Sequence, residues 1–421
     1  MIFIYLYLIF LYIRPQDWVP AFYGFPTAMT VIPMGLLAGF LRKQQNPDLY
    51  ILPQTTLVPY YLIMILVGTT IAAGFATALS EFIEFLLRGM VFFMVVWNVD
   101  TPKRLKSVIN FTIGLTLFLA YQGVMQGETG QCWGGMTVFP GYEEIRIRWY
   151  GDWDGPNVLG ILFVVGIALM LEYAFGPWKQ HGLITRLLAL AAIGYAGQAM
   201  FFTNSRGAIL ATLVGILFFF RQEFVKPYFL VLGTVVLIGA IAAMPSRMTE
   251  VNSEEESAHE RIQLWDNGIN MLRAHPLTGV GKGQFSKHSK LRLIAHNNYV
   301  QNFGESGFPG YYIFMALLWY SIWYNMTMDR PEYNVPDEVC GAGRMMVAAF
   351  IGYMASTFFV VMENDLLFYF FGLAAATQVT ALNCSKDFPR PQFTAWDRNI
   401  IIAIMMSILG VIIVQVYFKP V

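Results

Sequence analysis

The chain has 421 residues, of which 56% are hydrophobic and 13% charged, with a formal net charge of zero and a mean hydropathy of +0.52. An average soluble domain carries about 25% charged residues, so this composition excludes a soluble domain and describes a polytopic membrane protein. Neutrality also excludes a nucleic-acid partner, which selects for a basic patch in a basic domain.

A helix needs roughly 20 residues to cross about 30 Å of hydrocarbon. In chain order the apolar runs fall near 1–13, which is short for a crossing, and then near 24–41, 55–76, 82–99, 105–125, 156–175, 183–202, 207–221, 227–244, 309–328, 342–361, 364–382 and 399–418. They predict an all-α fold with about 12–13 transmembrane helices. The apolar start has neither the basic segment nor the small-residue site of a cleavable signal peptide.

One alternate set of connections carries Arg42 and Lys43; Lys103, Arg104 and Lys106; Lys179 and Arg186; Arg221 and Lys226; Arg330 and Arg344; and Lys386, Arg390 and Arg398, together 14 of the 27 Lys and Arg residues. The short loops of the opposite set carry only Arg14 and Arg206. By the positive-inside rule the first set is cytoplasmic, and two long connections, 126–155 and 245–308, face outward. The chain then divides into an N-terminal membrane region over 1–185, a core over 186–330 and C-terminal helices over 331–421. Cys132 falls outside while Cys340 and Cys384 fall where thiols stay reduced; neither an intramolecular disulfide nor a structural zinc site is expected.

Polar chemistry concentrates around the second outer loop, which holds His259, His275, His288 and His296, four of the five histidines. Its first part is acidic and its second basic, which suits an anionic ligand or lipid headgroups. Ser257-x-x-Glu260 has the form of a capping box, followed by Ile262, Trp265, Ile269 and Leu272 at helical spacing up to His275-Pro276. This predicts an amphipathic interface helix with Arg261 in its first turn, where the helix dipole disfavours a cation unless an anion accompanies it; the competing reading is a lid or anchor without chemistry. Gly279-x-Gly281-x-Gly283 lacks the Ser or Thr of a phosphate loop and reads as a tight turn, with Lys282 still able to meet an anion. Arg206 stands where one span ends and the next begins, with Asn204 or Ser205 as cap, so free backbone N–H groups and a guanidinium share one volume; the alternative is an Arg reaching for headgroups. His296 opens a polar helix-like stretch, and its imidazole can take a proton near physiological pH. Arg146, Arg148, Asp152 and Asp154 of the first outer loop line the same cavity, with Trp149 and Trp153 as sugar-stacking faces, or else form an interfacial belt. Glu305 positions His296 or caps a helix, and Glu84 with Arg88 reads as an intramembrane ion pair.

Ser205-Arg206-Gly-Ala, Arg261-x-x-x-Trp265, Pro276-x-x-Gly-Val-Gly281-x-Gly283-x-Phe285 and His296-Asn-x-Tyr299 with Glu305-x-Gly307 resemble, in order and spacing over about 190–330, the O-antigen ligase and polymerase superfamily. The N-terminal Tyr12-Ile-Arg14-Pro-Gln-Asp-Trp18 and the Trp-rich outer loop resemble its O-glycosylation ligase branch associated with exosortase systems. The resemblance implies a C-type membrane glycosyltransferase with a large periplasmic loop, using no metal or other cofactor, in the bacterial inner membrane with its site at the periplasmic face. It implies an undecaprenyl diphosphate-linked glycan donor held by Arg206 and Arg261, His296 as general base, and an acceptor that is lipid A core, protein or another glycan. Ser205, Tyr299, Trp265, Lys282 and Glu305 would support them. A polymerase is the alternative within the class. A lipid-linked glycan transporter is the alternative outside it, against which the single charged outer loop counts, because transporters place such groups at the midplane of repeated halves.

The topology is testable by cysteine labelling. Asn252→Cys in a cysteine-free background is expected to react with a membrane-impermeant maleimide in intact cells, whereas labelling only after permeabilisation would invert the assignment.

Overall fold

A computed structural model describes residues 1–141, 144–177, 180–221 and 251–418, with side chains from residue 259 onward in the last stretch. Among the described residues the fold is all-helical, apart from an isolated bridge between Gln131 and Thr137. Its principal helices are α1 (Ile2–Tyr12), α2 (Thr27–Lys43), α3 (Pro53–Ala73), α4 (Phe75–Asn98), α5 (Pro102–Thr129), α6 (Pro156–Phe175), α7 (Leu183–Phe202), α8 (Arg206–Phe219), α9 (Val251–Ala274), α10 (Asn298–Thr327), α11 (Asp337–Ser356), α12 (Asp365–Cys384) and α13 (Ala395–Tyr417).

Seven of these, α3, α5, α6, α7, α11, α12 and α13, are long and apolar enough to cross a membrane; α1 and α8 are apolar but shorter. This is fewer than the 12–13 expected, for residue-level reasons. Helix α2 has 17 residues and an internal Pro33. Helix α4 carries Glu81, Glu84 and Arg88, and the apolar half of α10 is diluted by Tyr and Trp. The expected span at 227–244 lies outside the described residues. The chain is nonetheless a multi-pass membrane protein: α7 and α13 turn apolar side chains such as Ile184, Leu188, Met406 and Val411 outward, while α6 and α12 are enclosed on nearly every side.

Helix α6 packs against α7, α8 and α11, and α12 against α4 and α10. Small residues let α8 and α11 approach closely, a Cβ at Gly215 falling 3.1 Å from the Ala348 carbonyl oxygen, as in many membrane helix pairs. The basic connections collect at one end, where their charges are paired: Arg42 and Arg104 with Asp100 at 2.7 and 3.1 Å, and Arg344 with Glu172 and Asp329, each at 2.5 Å. Asn383 donates to the Asp100 carbonyl and Arg390 to that of Asp48, joining separate members of the basic set.

The first outer loop is a structural clasp. Trp149 and Trp153 are 1% and 0% exposed, and their indole N–H groups donate to the carbonyls of Ile13 and Leu11 at 3.2 and 2.9 Å. Both carbonyls stand at the C-terminal end of α1, where intrahelical donors run out, and that of Ile13 also accepts from Trp18 Nε1 at 2.9 Å. The tryptophans are therefore neither sugar-stacking faces nor an interfacial belt, a correction whose physical reason is that an indole buried this deeply must spend its N–H on protein.

Helix α9 also departs from expectation. The chain is already helical from Val251, so Ser257-x-x-Glu260 lies inside α9, and Arg261 stands near its middle rather than in a first turn. The Glu-rich run before Arg261 extends the helix because Glu is a good helix former. The predicted end before His275-Pro276 agrees, and Leu264, Ile269 and Leu272 form the face buried against α10.

Helix α10 contacts α3, α9, α11, α12 and α13 and is broken at Gly307, whose φ of 64° and ψ of −171° are non-helical. Pro309 has no N–H to return to the Glu305 carbonyl, and the Phe308 N–H turns to the Pro276 carbonyl at 2.8 Å. The freed carbonyls of Gly304 and Glu305 accept instead from the backbone N–H groups of Val280 and Gly281, both at 3.0 Å. The tight turn expected at Gly279–Gly283 is thus stitched into the break, and all three glycines hold positive φ. An unsatisfied backbone group at this depth costs several kcal/mol, so turn and break require each other. Gly279, at φ +62°, passes so close that a Cβ would collide with the Glu305 backbone. Gly279→Ala is expected to destabilise the protein by more than the ~1–2 kcal/mol of left-handed strain alone, read as a lowered melting temperature in detergent; an unchanged melting temperature would show that the stitch carries no stability.

Candidate active site

Ser205 caps α8 by accepting from the Ala208 N–H at 3.4 Å, so Arg206 is the first helical residue, at a helix N-terminus of the kind that favours an anion. Asn204, held at φ +53°, donates to the Glu144 carboxylate. Arg146 is buried and ties the first outer loop to this turn, donating to Thr203 O at 3.5 Å and to Asn157 Oδ1 at 3.2 Å. Arg146 thereby supports the Arg206 turn.

His296 lies between α9 and α10 in the left-handed region, at φ +50°. Such a φ is uncommon away from glycine, and the surrounding bonds account for it. The residue before it is gripped at both ends: the Ala295 N–H donates to Gln301 Oε1 at 2.9 Å, and the Ala295 carbonyl accepts from Trp265 Nε1 at 3.2 Å. On the far side Asn297 caps α10, its Oδ1 accepting from Tyr299 and Val300 N–H groups at 2.9 and 3.1 Å. The spacing in Arg261-x-x-x-Trp265 now has a reason. Residues i and i+4 share a helix face, so the tryptophan that holds the loop also brings His296 beside Arg261.

The half-buried imidazole is held below its ordinary pKa, first by burial and then by the Arg261 charge, against which Glu260 pulls weakly upward. Burial likewise lowers the Arg261 pKa, and among the described residues Arg261 forms no ion pair. A desolvated guanidinium beside a neutral imidazole can receive an anion and a proton donor together.

The Arg206 turn and the His296 loop both border the 357–364 connection between α11 and α12, most of which was expected to belong to a span at 342–361. A Cβ at Gly207 would lie 3.1 Å from the Phe359 ring; the Asn298 N–H donates to Thr357 O at 2.8 Å; and the Tyr299 ring lies 4.8 Å from that of Phe358. Tyr299 spends its hydroxyl on the Met354 carbonyl at 2.9 Å, so it supports the wall.

The far end of this connection enters a buried charge cluster. Lys282 Nζ lies 2.6 Å from Glu363 Oε2 and 3.3 Å from Glu305 Oε2. Tyr61 donates to Glu363, and Asn302 donates to Tyr61 Oη at 2.9 Å. Glu305 also accepts from the Phe285 N–H at 3.2 Å and from Gln301 Nε2 at 2.5 Å. Every polar neighbour named here gives the carboxylates a donor, while burial raises the Glu305 pKa. Burial by itself lowers the Lys282 pKa, but Glu363, Tyr61 and Glu305 outweigh it and raise it. Lys282 therefore meets anions of its own chain. Glu305 caps the short turn at Phe285 and touches Gln301, through which it reaches the residue before His296.

The remaining acidic and basic residues separate. Asp152 lies 3.9 Å from Arg14 and accepts from Asn364 at 3.5 Å, so it borders the 357–364 wall. Asp154 pairs with Arg148 at 3.0 Å, and Arg148 also donates to Thr137 O, which places both within the loop's own scaffold. Glu84 and Arg88 pair as expected, and Arg88 additionally approaches Asp365 at 3.5 Å. Gln301, Tyr61, Asn302 and Glu363 escaped the sequence reading. The spacing of Gln301 and Glu305, one turn apart in a polar stretch, was the available signal for the first.

Fold and site together define a multi-pass membrane protein with arginines and a histidine gathered at the end opposite its basic connections. Residues 188–315 match the model of the family described as O-Antigen ligase. Over that stretch the chain is similar to the O-antigen ligase family, and this likeness supports a link to that superfamily. A protein of Haemophilus influenzae (strain ATCC 51907 / DSM 11121 / KW20 / Rd), described as an uncharacterized protein, is 22% identical over 237 residues, covering 48% of this chain and 59% of that one.

Proposed function

We propose that the protein transfers a glycan from an undecaprenyl diphosphate carrier to an acceptor hydroxyl at the periplasmic face of the bacterial inner membrane. The observation that supports this reading most directly is the desolvated Arg261 beside the low-pKa His296, both fixed to one wall that also meets the α8 terminus carrying Arg206. In the proposed reaction the acceptor oxygen attacks the anomeric carbon as His296 takes its proton. The bond from that carbon to the diphosphate oxygen breaks, and its electron pair leaves on the phosphate. Arg206 and Arg261 bear the growing charge, and attack opposite the leaving group inverts the carbon.

His296→Ala is expected to lower transfer about 100- to 10,000-fold, as loss of a general base does, while donor binding persists. More than about a tenth of the rate remaining, well short of that range, would make His296 structural. Because the His296 pKa is lowered, the neutral base persists into mildly acidic solution, and the rate falls only as pH drops below the ordinary imidazole value. In the residual activity of Arg261→Ala this acid limb should move to higher pH, since the second cause of the depression has been removed; a limb that stays in place would separate the two residues.

Arg206→Lys keeps the charge but loses the planar fork of donors that suits a diphosphate, and most transfer activity is expected to disappear at normal expression. Near-normal turnover would move the anion site elsewhere.

A further inference from the structure

Gln301 is buried and joins two parts of the molecule. Its Nε2 donates to Glu305 Oε1 at 2.5 Å, and its Oε1 accepts from the Ala295 N–H at 2.9 Å. The amide has only one useful orientation. The Ala295 N–H can only donate, so the oxygen of Gln301 must face it and the nitrogen must face Glu305 Oε1, which also accepts from the Phe285 N–H. A directional relay runs from the Lys282–Glu363–Glu305 cluster through Gln301 to the peptide that precedes His296.

We propose that Gln301 is a positioning residue for the reaction: its side-chain amide sets the left-handed backbone at His296 and so holds the imidazole against Arg261, with Glu305 and Lys282 fixing the amide from behind. The inference rests on the reading of His296 as the base. Trp265 grips only the Ala295 carbonyl, so without Gln301 the backbone of residue 295 keeps one of these two restraints and can rotate about it. A base displaced by about 1 Å can lose on the order of 100-fold in rate, although Gln301 itself touches no substrate.

Two substitutions isolate this role in the full-length protein in detergent. Gln301→Met keeps the volume and removes both hydrogen bonds. Gln301→Glu keeps an acceptor facing the Ala295 N–H and, because two carboxyls that share a site hold one proton between them, a donor to Glu305, with the Phe285 bond left in place. Gln301→Met is expected to lower kcat by about 10- to 100-fold with an unchanged KM for the lipid-linked donor, and Gln301→Glu to stay within several-fold of the original rate. The charged groups that bear on His296 are Arg261 and Glu260; loosening the loop moves the imidazole away from Arg261, so the acid limb should shift upward in Gln301→Met and stay in place in Gln301→Glu. Histidine NMR on the same proteins, with His296 assigned through its loss in His296→Gln, reads that titration without any turnover. A folded Gln301→Met protein with kcat within threefold of the original, or with an unmoved His296 titration, would overturn the proposal. If Gln301→Met fails to fold, Gln301→Glu decides: a retained rate and titration support the relay, and a folded Gln301→Glu protein as defective as His296→Ala overturns it. Absence of transfer by the unsubstituted protein would sink the glycan-transfer reading, and the NMR titration would still judge the relay.

Discussion

The exchange of backbone hydrogen bonds at the break in α10 is the constraint on which the end of this protein opposite its basic connections depends. Gly307 turns the chain and Pro309 withholds an N–H, so two helical carbonyls need new donors within a low-dielectric environment. The Pro276–Gly283 turn supplies them, and its glycines tolerate the positive φ and close approach that supplying them demands. The pairing explains why a Gly-rich turn and a Glu-x-Gly-x-Pro helix break occur in one chain. Neither is stable without the other.

Once the turn is stitched in, the placement of Lys282 follows. The Lys282 N–H donates to Thr69 Oγ1 at 2.9 Å, and its side chain enters the bundle between Glu305 and Glu363. A lysine buried this deeply is tolerable only when paired and hydrogen-bonded; removing one partner from such a cluster typically costs about 3–5 kcal/mol. The cluster therefore locks three separate pieces of chain, the 275–284 turn, α10 and the 357–364 connection, into one register. That connection is the shared wall of the Arg206 turn and the His296 loop, so stability and site geometry are maintained by the same contacts.

The two ends of the bundle manage charge differently. At the end carrying the basic connections the arginines are matched by carboxylates and carbonyls in compact ion pairs. At the opposite end Arg261 is left without an ion pair among the described residues, close to an imidazole held neutral by burial. Stationing an uncompensated guanidinium there is costly unless an anion visits, which is the physical content of the proposed donor site.

Several features were legible in the sequence by itself: helical class, membrane insertion, the end of α9 at His275-Pro276 and the turn at Gly279–Gly283. Composition, hydropathy and helix-end chemistry act locally, and local rules suffice for such features. Tertiary structure alone decided what each polar group touches. Trp149 and Trp153, promising as sugar platforms in a Trp-rich loop, are consumed in capping α1, because helix-end carbonyls from more than a hundred residues away reach them first. Lys282 meets Glu363, 81 positions later, in place of a substrate anion. Glu363 and Tyr61 carry no motif, and Gln301 has only a one-turn spacing to mark it; their roles arise where the broken helix, the turn and the 357–364 connection converge. A hydrogen bond is decided within about 3 Å, a distance that sequence separation does not report.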